Sequence, residues 1–304
     1  MRRLIATILI LVLSQGVGLL TYASDVVLVT WNIKWFPSGK ADLRISPEFE
    51  DFKMRKASGV LTNAIAAVGG TETNRIVICA QELRDRFVAQ RLGEMTGFTN
   101  LKAVAVSDFA DKAGIPIWQQ SAILSNMPLV EGGSMPWQSE RNVDMPRGFV
   151  YAVLGEGEEL IAVFCVHLKS NLNLSGSEFE IQKNIYKREF AAAQILAKFH
   201  EMEPLYGERL KRVVVAGDFN TNEDEETFVS ESTLRSFYGA HFRNCFSGRR
   251  KHQRITRPAS GGYPDATFDY ILYRGFGKGI VCRITVGQPI SDHNPVSVRL
   301  PSSE

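Results

Sequence analysis

The sequence predicts an α/β fold, with two mixed β-sheets packed face to face and helices on the outside. Three observations predict it. About ten short apolar, β-rich runs recur along the chain. Helical patterns separate only some of them. No repeat or low-complexity linker divides the chain, so one domain is expected over residues 24–304.

The strand runs are, in order, "DVVLVTWNI", "NRIVICAQE", "LKAVAVSD", "QSAILSN", "GFVYAVL", "LIAVFCVHL", "KRVVVAGDF", "ATFDYILYR", "GIVCRITV" and "NPVSVRL". Their β-branched and aromatic residues suit a half-buried pleated surface. Helices are expected over Glu48–Val68, Arg86–Met95 and Glu178–Phe199. In the last, Phe179, Ile185, Phe190, Ile195 and Phe199 recur near helical spacing.

The first residues differ. Arg2 and Arg3 precede an apolar run from Leu4 to Leu20 and the small-residue site Thr21-Tyr22-Ala23. This pattern reads as a signal peptide over residues 1–23, cut after Ala23. The run is short and carries Ser14, Gln15, Gly16 and Gly18, so stable membrane insertion is not expected. A secreted or periplasmic monomer is. Without those two arginines the chain has 33 Lys+Arg against 33 Asp+Glu. Global charge therefore gives no argument for a nucleic-acid partner, and any basic signal must be local. Of four cysteines, Cys79 and Cys165 lie in apolar runs and read as buried thiols; export permits Cys245 and Cys282 to pair. No pair has metal-finger spacing.

Six runs end at, or are followed by, an unusual polar group: Asn32, Glu82, His167, Asp218 with Asn220, Asp269, and Asp292-His293. Each alone reads as a turn residue or a solvated strand end. Strands of one sandwich can bring such ends to one cleft. Together they supply oxygen ligands for a hard cation such as Mg²⁺ and imidazoles for proton transfer.

These residues, in this order, resemble the endonuclease/exonuclease/phosphatase superfamily from Asn32 to Leu300. The resemblance implies a four-layered α/β sandwich and a phosphodiester hydrolase. It implies Glu82 as the main metal carboxylate, with Asn32 and Asp292 completing or supporting the site for Mg²⁺, Mn²⁺ or Ca²⁺. It implies that Asp218 orients or deprotonates water and that Asn220 holds a phosphate oxygen. The glycine of "AGDFN" would keep a tight turn beneath the substrate. His293 would stand beside the scissile phosphate, oriented by Asp269.

His167 resembles the second histidine of the deoxyribonuclease I-like branch; which histidine is the acid stays open. Arg84 in "QELRD" resembles that branch's DNA-touching arginine. Two features depart from it. Gln119 lies where a carboxylate partner for His167 is expected, and no cysteine follows "GDFN". The expectation is a nuclease with DNA as substrate. The rivals are an inositol-phosphate phosphatase or sphingomyelin phospholipase, and a degenerate binding or toxin subunit.

A local basic run adds to the first reading. Residues 243–258, "RNCFSGRRKHQRITRP", hold six Lys/Arg and no acid. Arg249, Arg250 and Lys251 are candidate backbone contacts, against the bland reading of a solvated loop. Arg147, heading "GFVYAVL", is a further phosphate candidate. Trp31 and Trp35 read as core.

Overall fold

The computed structural model describes residues 25–41, 43–140, 143–171 and 177–302. The expected signal peptide and its cleavage point lie outside them. The strands are β1 (Val26–Phe36), β2 (Arg75–Leu83), β3 (Lys102–Val106), β4 (Gln120–Ser125), β5 (Leu129–Pro136), β6 (Gly148–Glu156), β7 (Glu159–His167), β8 (Arg212–Asp218), β9 (Arg243–Asn244), β10 (Asp269–Arg274), β11 (Val281–Ile284) and β12 (Val296–Leu300). The helices are α1 (Pro47–Ala67), α2 (Arg86–Met95), α3 (Glu178–Tyr206) and α4 (Thr233–Gly239).

Two six-stranded sheets form, ordered β11-β12-β1-β2-β4-β3 and β5-β6-β7-β8-β10-β9. Both are mixed: β1–β2 and β7–β8 run parallel, and the other pairs antiparallel. Alternation along β1 makes the layers. Val26 and Leu28 join the core shared with the second sheet. Val27, Val29 and Trp31 pack instead with Met54, Leu61 and Ile65 of α1 and Leu92 of α2. On the far side, Ala191, Ala192, Ile195 and Phe199 of α3 join the second sheet's core.

The helices start where the sequence offers caps. Ser46 Oγ accepts from Phe49 N at 3.3 Å, Asp85 Oδ1 from Val88 N at 2.8 Å, and Ser177 Oγ from Glu180 N at 3.3 Å. A buried ion pair ties α3 to the loop before α4. Arg188 Nε and Nη2 donate to Glu231 at 2.8 and 2.5 Å, and Nη1 reaches the Lys169 carbonyl at 3.1 Å. Both partners' side chains are only 1% exposed, so removing one would strand a buried charge at a cost of about 3–5 kcal/mol.

All ten expected runs lie on strands. Two strands have no such signature. β5 contains Gly132-Gly133, ends in Pro136 and is half-exposed at a sheet edge; β9 is two residues long. Helix α3 runs seven residues past Phe199. Phe179 is exposed, not buried, because it stands six residues before Ile185, about 240° around the helix. Gly217 differs from its expected role in a turn. It sits inside β8 opposite Val166, where a Cβ would lie 1.9 Å from the Val166 carbonyl oxygen. The glycine lets two parallel strands approach one residue before the site begins.

Candidate active site

Three neighbouring strands of the second sheet place one row of side chains. Asp218 of β8 is in register with His167 of β7 on one side and Asp269 of β10 on the other. The first sheet contributes Asn32 of β1 and Glu82 of β2. Asn32 Nδ2 lies 3.0 Å from Glu82 Oε1 and 2.9 Å from Asp218 Oδ2, so one carboxamide links both sheets. Trp31 Nε1 donates to the His293 carbonyl at 2.9 Å, and Ser291 Oγ donates to the Asn32 carbonyl at 2.7 Å. These bonds fix the loop carrying Asp292 and His293.

The six polar strand ends and loop groups thus share one cleft of about 1630 Å³. Asp269 alone stands behind its lining, completely buried. The cleft's backbone is strained. Seven described non-glycine residues have left-handed φ, and five of them, Lys34, Trp35, Glu82, Arg147 and Asn220, line it. Strain of this kind persists only where surrounding contacts impose it.

His293 Nδ1 is 2.8 Å from Asp269 Oδ2, and its Nε2 is 3.9 Å from Asp218 Oδ2. Burial would lower its pKa. The charges of Asp269 and Asp218 and the bond to Asp269 overcome that and raise it to about 10. At neutral pH His293 is an imidazolium with Nε2–H facing the cleft. The Asp218 pKa is raised as well, which for a carboxylate favours the neutral form. Burial, helped by Asp269, pushes it up to about 7, against the pull of His293 and bonds from Asn32 and the Asn220 amide. It is poised to exchange a proton near neutrality.

His167 has the opposite surroundings. Its Nδ1 lies 3.2 Å from Arg147 Nη1, and Arg147 also donates to Gln119 Oε1 at 3.0 Å and to the Leu168 carbonyl at 3.1 Å. A guanidinium can only donate, so Nδ1 accepts and the proton sits on Nε2. Burial first, then the Arg147 charge, holds the His167 pKa well below its ordinary value. His167 is therefore neutral, with Nε2–H directed towards Glu82 and Asp218, 3.6 and 3.8 Å away. Gln119 holds the arginine that holds the histidine.

The donor set fits a hard divalent cation. Glu82 and Asp218 face each other across a single Asn32 amide, leaving excess negative charge in a buried place. The ligand atoms of Asp218, Asp269 and His293 also lie within 4.8 Å of one another, and Asp269 Oδ1 is buried without a partner among the described residues. One Asp269 oxygen is already committed to His293, however. Glu82 and Asp218 are the better oxygen pair. Asn32, expected as a ligand, turns its Nδ2 to both carboxylates while its Oδ1 accepts from Lys34 N at 3.0 Å, so it supports the site by positioning them. Asp292 is engaged elsewhere: Lys34 Nζ bonds its Oδ2 at 2.9 Å and, against the effect of burial, keeps its pKa low.

Asn220 lines the cleft, its Nδ2 reaching the Leu168 carbonyl at 3.3 Å. Of the basic candidates, Arg147 lines the cleft, where it holds His167; Arg84, Arg249, Arg250 and Lys251 are elsewhere. Arg84 bonds Glu50 at 2.7 and 3.1 Å and Asp85 at 2.9 Å, in a smaller depression beside Arg44 and Trp118. Arg249, Arg250 and Lys251 do not line the cleft. Arg249 bonds the Cys282 carbonyl and Lys251 bonds Glu225 at 2.6 Å. The acidic run Glu223-Asp224-Glu225 balances this loop, also engaging Arg254.

Trp35 lines the cleft half-buried, whereas Trp31 is core as expected. Sequence reasoning gave no role to Lys34 or Lys169, both of which line it, and Arg257, the last basic residue of the 243–258 run, lines it as well. The position of Lys169, two residues after His167, was the available signal.

This two-sheet sandwich with its cleft at the strand ends is the fold of the endonuclease/exonuclease/phosphatase proteins. Three solved structures illustrate the likeness. SmcL is 12% identical, with 92% of this chain and 100% of that one covered and a TM-score of 0.61. TDP2 from Caenorhabditis elegans is 14% identical, with 91% and 74% covered and a TM-score of 0.58. An endonuclease/exonuclease/phosphatase family protein from Leptotrichia buccalis C-1013-b is 14% identical, with 90% and 99% covered and a TM-score of 0.58. No family model matches the sequence, and no curated protein does.

Proposed function

We propose that this chain is a divalent-metal-dependent phosphodiester hydrolase acting on nucleic acid, exported as its N-terminal pattern suggests. One observation carries the reading. Two imidazole Nε2 atoms, one on a neutral ring and one on a charged ring, flank Asp218 Oδ2 at 3.8 and 3.9 Å on the floor of an open cleft.

A phosphate between the rings would receive a hydrogen bond from each Nε2–H. Such donors stabilise the charge that develops on its oxygens. Asp218 accepts the proton of the attacking water. His293, held by Asp269, supplies a proton on the leaving-group side. Glu82 and Asp218, positioned by Asn32 Nδ2, would hold the cation, which when bound would supply Lewis-acid polarisation of the phosphate. Asn220, Lys169 and Arg257 hold the substrate's other oxygens. Support for nucleic acid comes from a fold relative, TDP2 of D. rerio, solved with a single-strand DNA product at 15% identity over 92% of this chain.

A smaller phosphodiester bearing an apolar group is the second reading. Eight carboxylates and five Lys/Arg side chains line the cleft, a poor balance for a long polyanion, and Phe109, Ile115, Ile117, Trp118 and Tyr263 wall it. A cleavage panel of plasmid, single-stranded DNA, RNA and a phospholipid, with Mg²⁺ or a chelator, tests both readings. Mg²⁺-dependent cleavage of nucleic acid alone supports the first; cleavage of the lipid alone supports the second. Full activity in chelator, or with Glu82→Gln, overturns the metal assignment.

A further inference from the structure

Two thiol pairs lie between the sheets. Cys79 of β2 and Cys165 of β7 meet in the middle of the sandwich, both completely buried. Cys245, just after β9, meets Cys282 of β11, their sulfurs 3.2 Å apart. These two strands are the outermost members of opposite sheets. We propose that Cys245 and Cys282 form a disulfide that joins the sheet edges, while Cys79 and Cys165 stay thiols.

The edge pair is already in sulfur contact, and closing a bond of about 2.05 Å requires a shift of roughly 1.2 Å. Both strands gain from a covalent tie. β9 has only two ladder pairs, Asn244–Leu272 and Arg243–Tyr273, and β11 only four. Two further bonds already fix this corner. Cys245 N donates to the Ile271 carbonyl at 3.1 Å, and Arg249 donates to the Cys282 carbonyl. The central pair is differently engaged: Cys165 Sγ accepts from Gln81 Nε2 at 3.2 Å and donates to the Ala80 carbonyl at 3.7 Å.

Burial pushes the Cys245 thiol well above its ordinary range, so little thiolate exists once the corner is packed. The bond therefore closes during folding and acts as a structural tie, not a switch. A small-molecule disulfide such as oxidised glutathione is the oxidant. One protein thiolate attacks it, giving a mixed disulfide and one glutathione thiol. The second protein thiolate displaces the other glutathione, so two electrons and two protons pass to the glutathione pair. The closed segment, 245–282, contains Asp269 and the Arg257–Tyr263 wall of the cleft.

The test is to fold the full chain with oxidised glutathione, denature it without reductant, alkylate it and map the cysteines by mass spectrometry. The expected result is two alkylated residues, Cys79 and Cys165, and one linked peptide joining Cys245 to Cys282, with four alkylated residues after reduction. Four free thiols in the oxidised sample, or a linkage through Cys79 or Cys165, overturns the proposal. Reduction should also lower Tm by roughly 4–8 °C. The Cys245→Ser/Cys282→Ser variant should melt at the reduced value and ignore reductant. A reductant-sensitive Tm in that variant would locate the effect elsewhere and overturn the assignment.

Discussion

His167 and His293 occupy the two sides of one cleft, yet their neighbours give them opposite charge. His293 has a carboxylate behind its Nδ1, and His167 has a guanidinium. Behind one ring the pair of charges is attractive, so the proton stays. Around the other, burial first and then repulsion from the guanidinium act together, so the proton leaves. Two identical side chains thus become different reagents. One can give up a proton while Asp269 holds and orients its ring. The other is a fixed donor whose tautomer is set by Arg147 and Gln119.

The largest expected effect comes from removing either ring. His293→Ala and His167→Ala should each lower kcat by roughly 10²–10⁴-fold, and the double variant by less than the product, since both serve one transition state. Steady-state rates at saturating Mg²⁺ measure this. A nearly neutral His167→Ala would break the comparison by leaving His293 to work alone.

Arg147→Ala should cost roughly 10- to 100-fold in kcat, by misplacing His167. Unlike a purely structural lesion, it should also change the ring. ¹⁵N imidazole spectra should show Nδ1 losing its donor and the His167 pKa rising towards the ordinary range. An unchanged tautomer and pKa would show that the arginine does not set them.

Asp269→Asn should move the alkaline limb of the rate profile to lower pH by a unit or more, because the carboxylate is the leading cause holding His293 up. The sign for stability follows from the same shift. The folded pKa of about 10 lies above the ordinary 6.5, so this contribution is complete below pH 6.5 and is lost as pH rises through about 10. Melting curves across that window should fall less steeply with pH in Asp269→Asn than in wild type.

The smallest effect should come from Arg249→Ala/Arg250→Ala/Lys251→Ala. These residues lie off the cleft, so KM should change less than about twofold for any substrate, whereas Lys169→Ala should raise it. A large, salt-dependent rise in KM for the triple variant would extend the substrate path beyond the cleft to this loop.

The sequence by itself determined the sandwich and the polar strand ends that meet in one cleft. An apolar, β-rich run is a local signal, and strands such as "RVVVAGDFN" carry both their burial and their terminal polar group within a few residues. β5 and β9 escaped because edge strands need little apolar signature. Only the tertiary structure decided the states of the polar groups. Arg147 lies 20 positions from His167, and Asp269 lies 24 from His293; a charge's effect depends on distance through space and on burial, and neither is written along the chain. The same reason separates Arg249, Arg250 and Lys251 from the cleft. Their composition marks a basic loop, but only packing brings Glu223, Asp224 and Glu225 beside that loop to balance it.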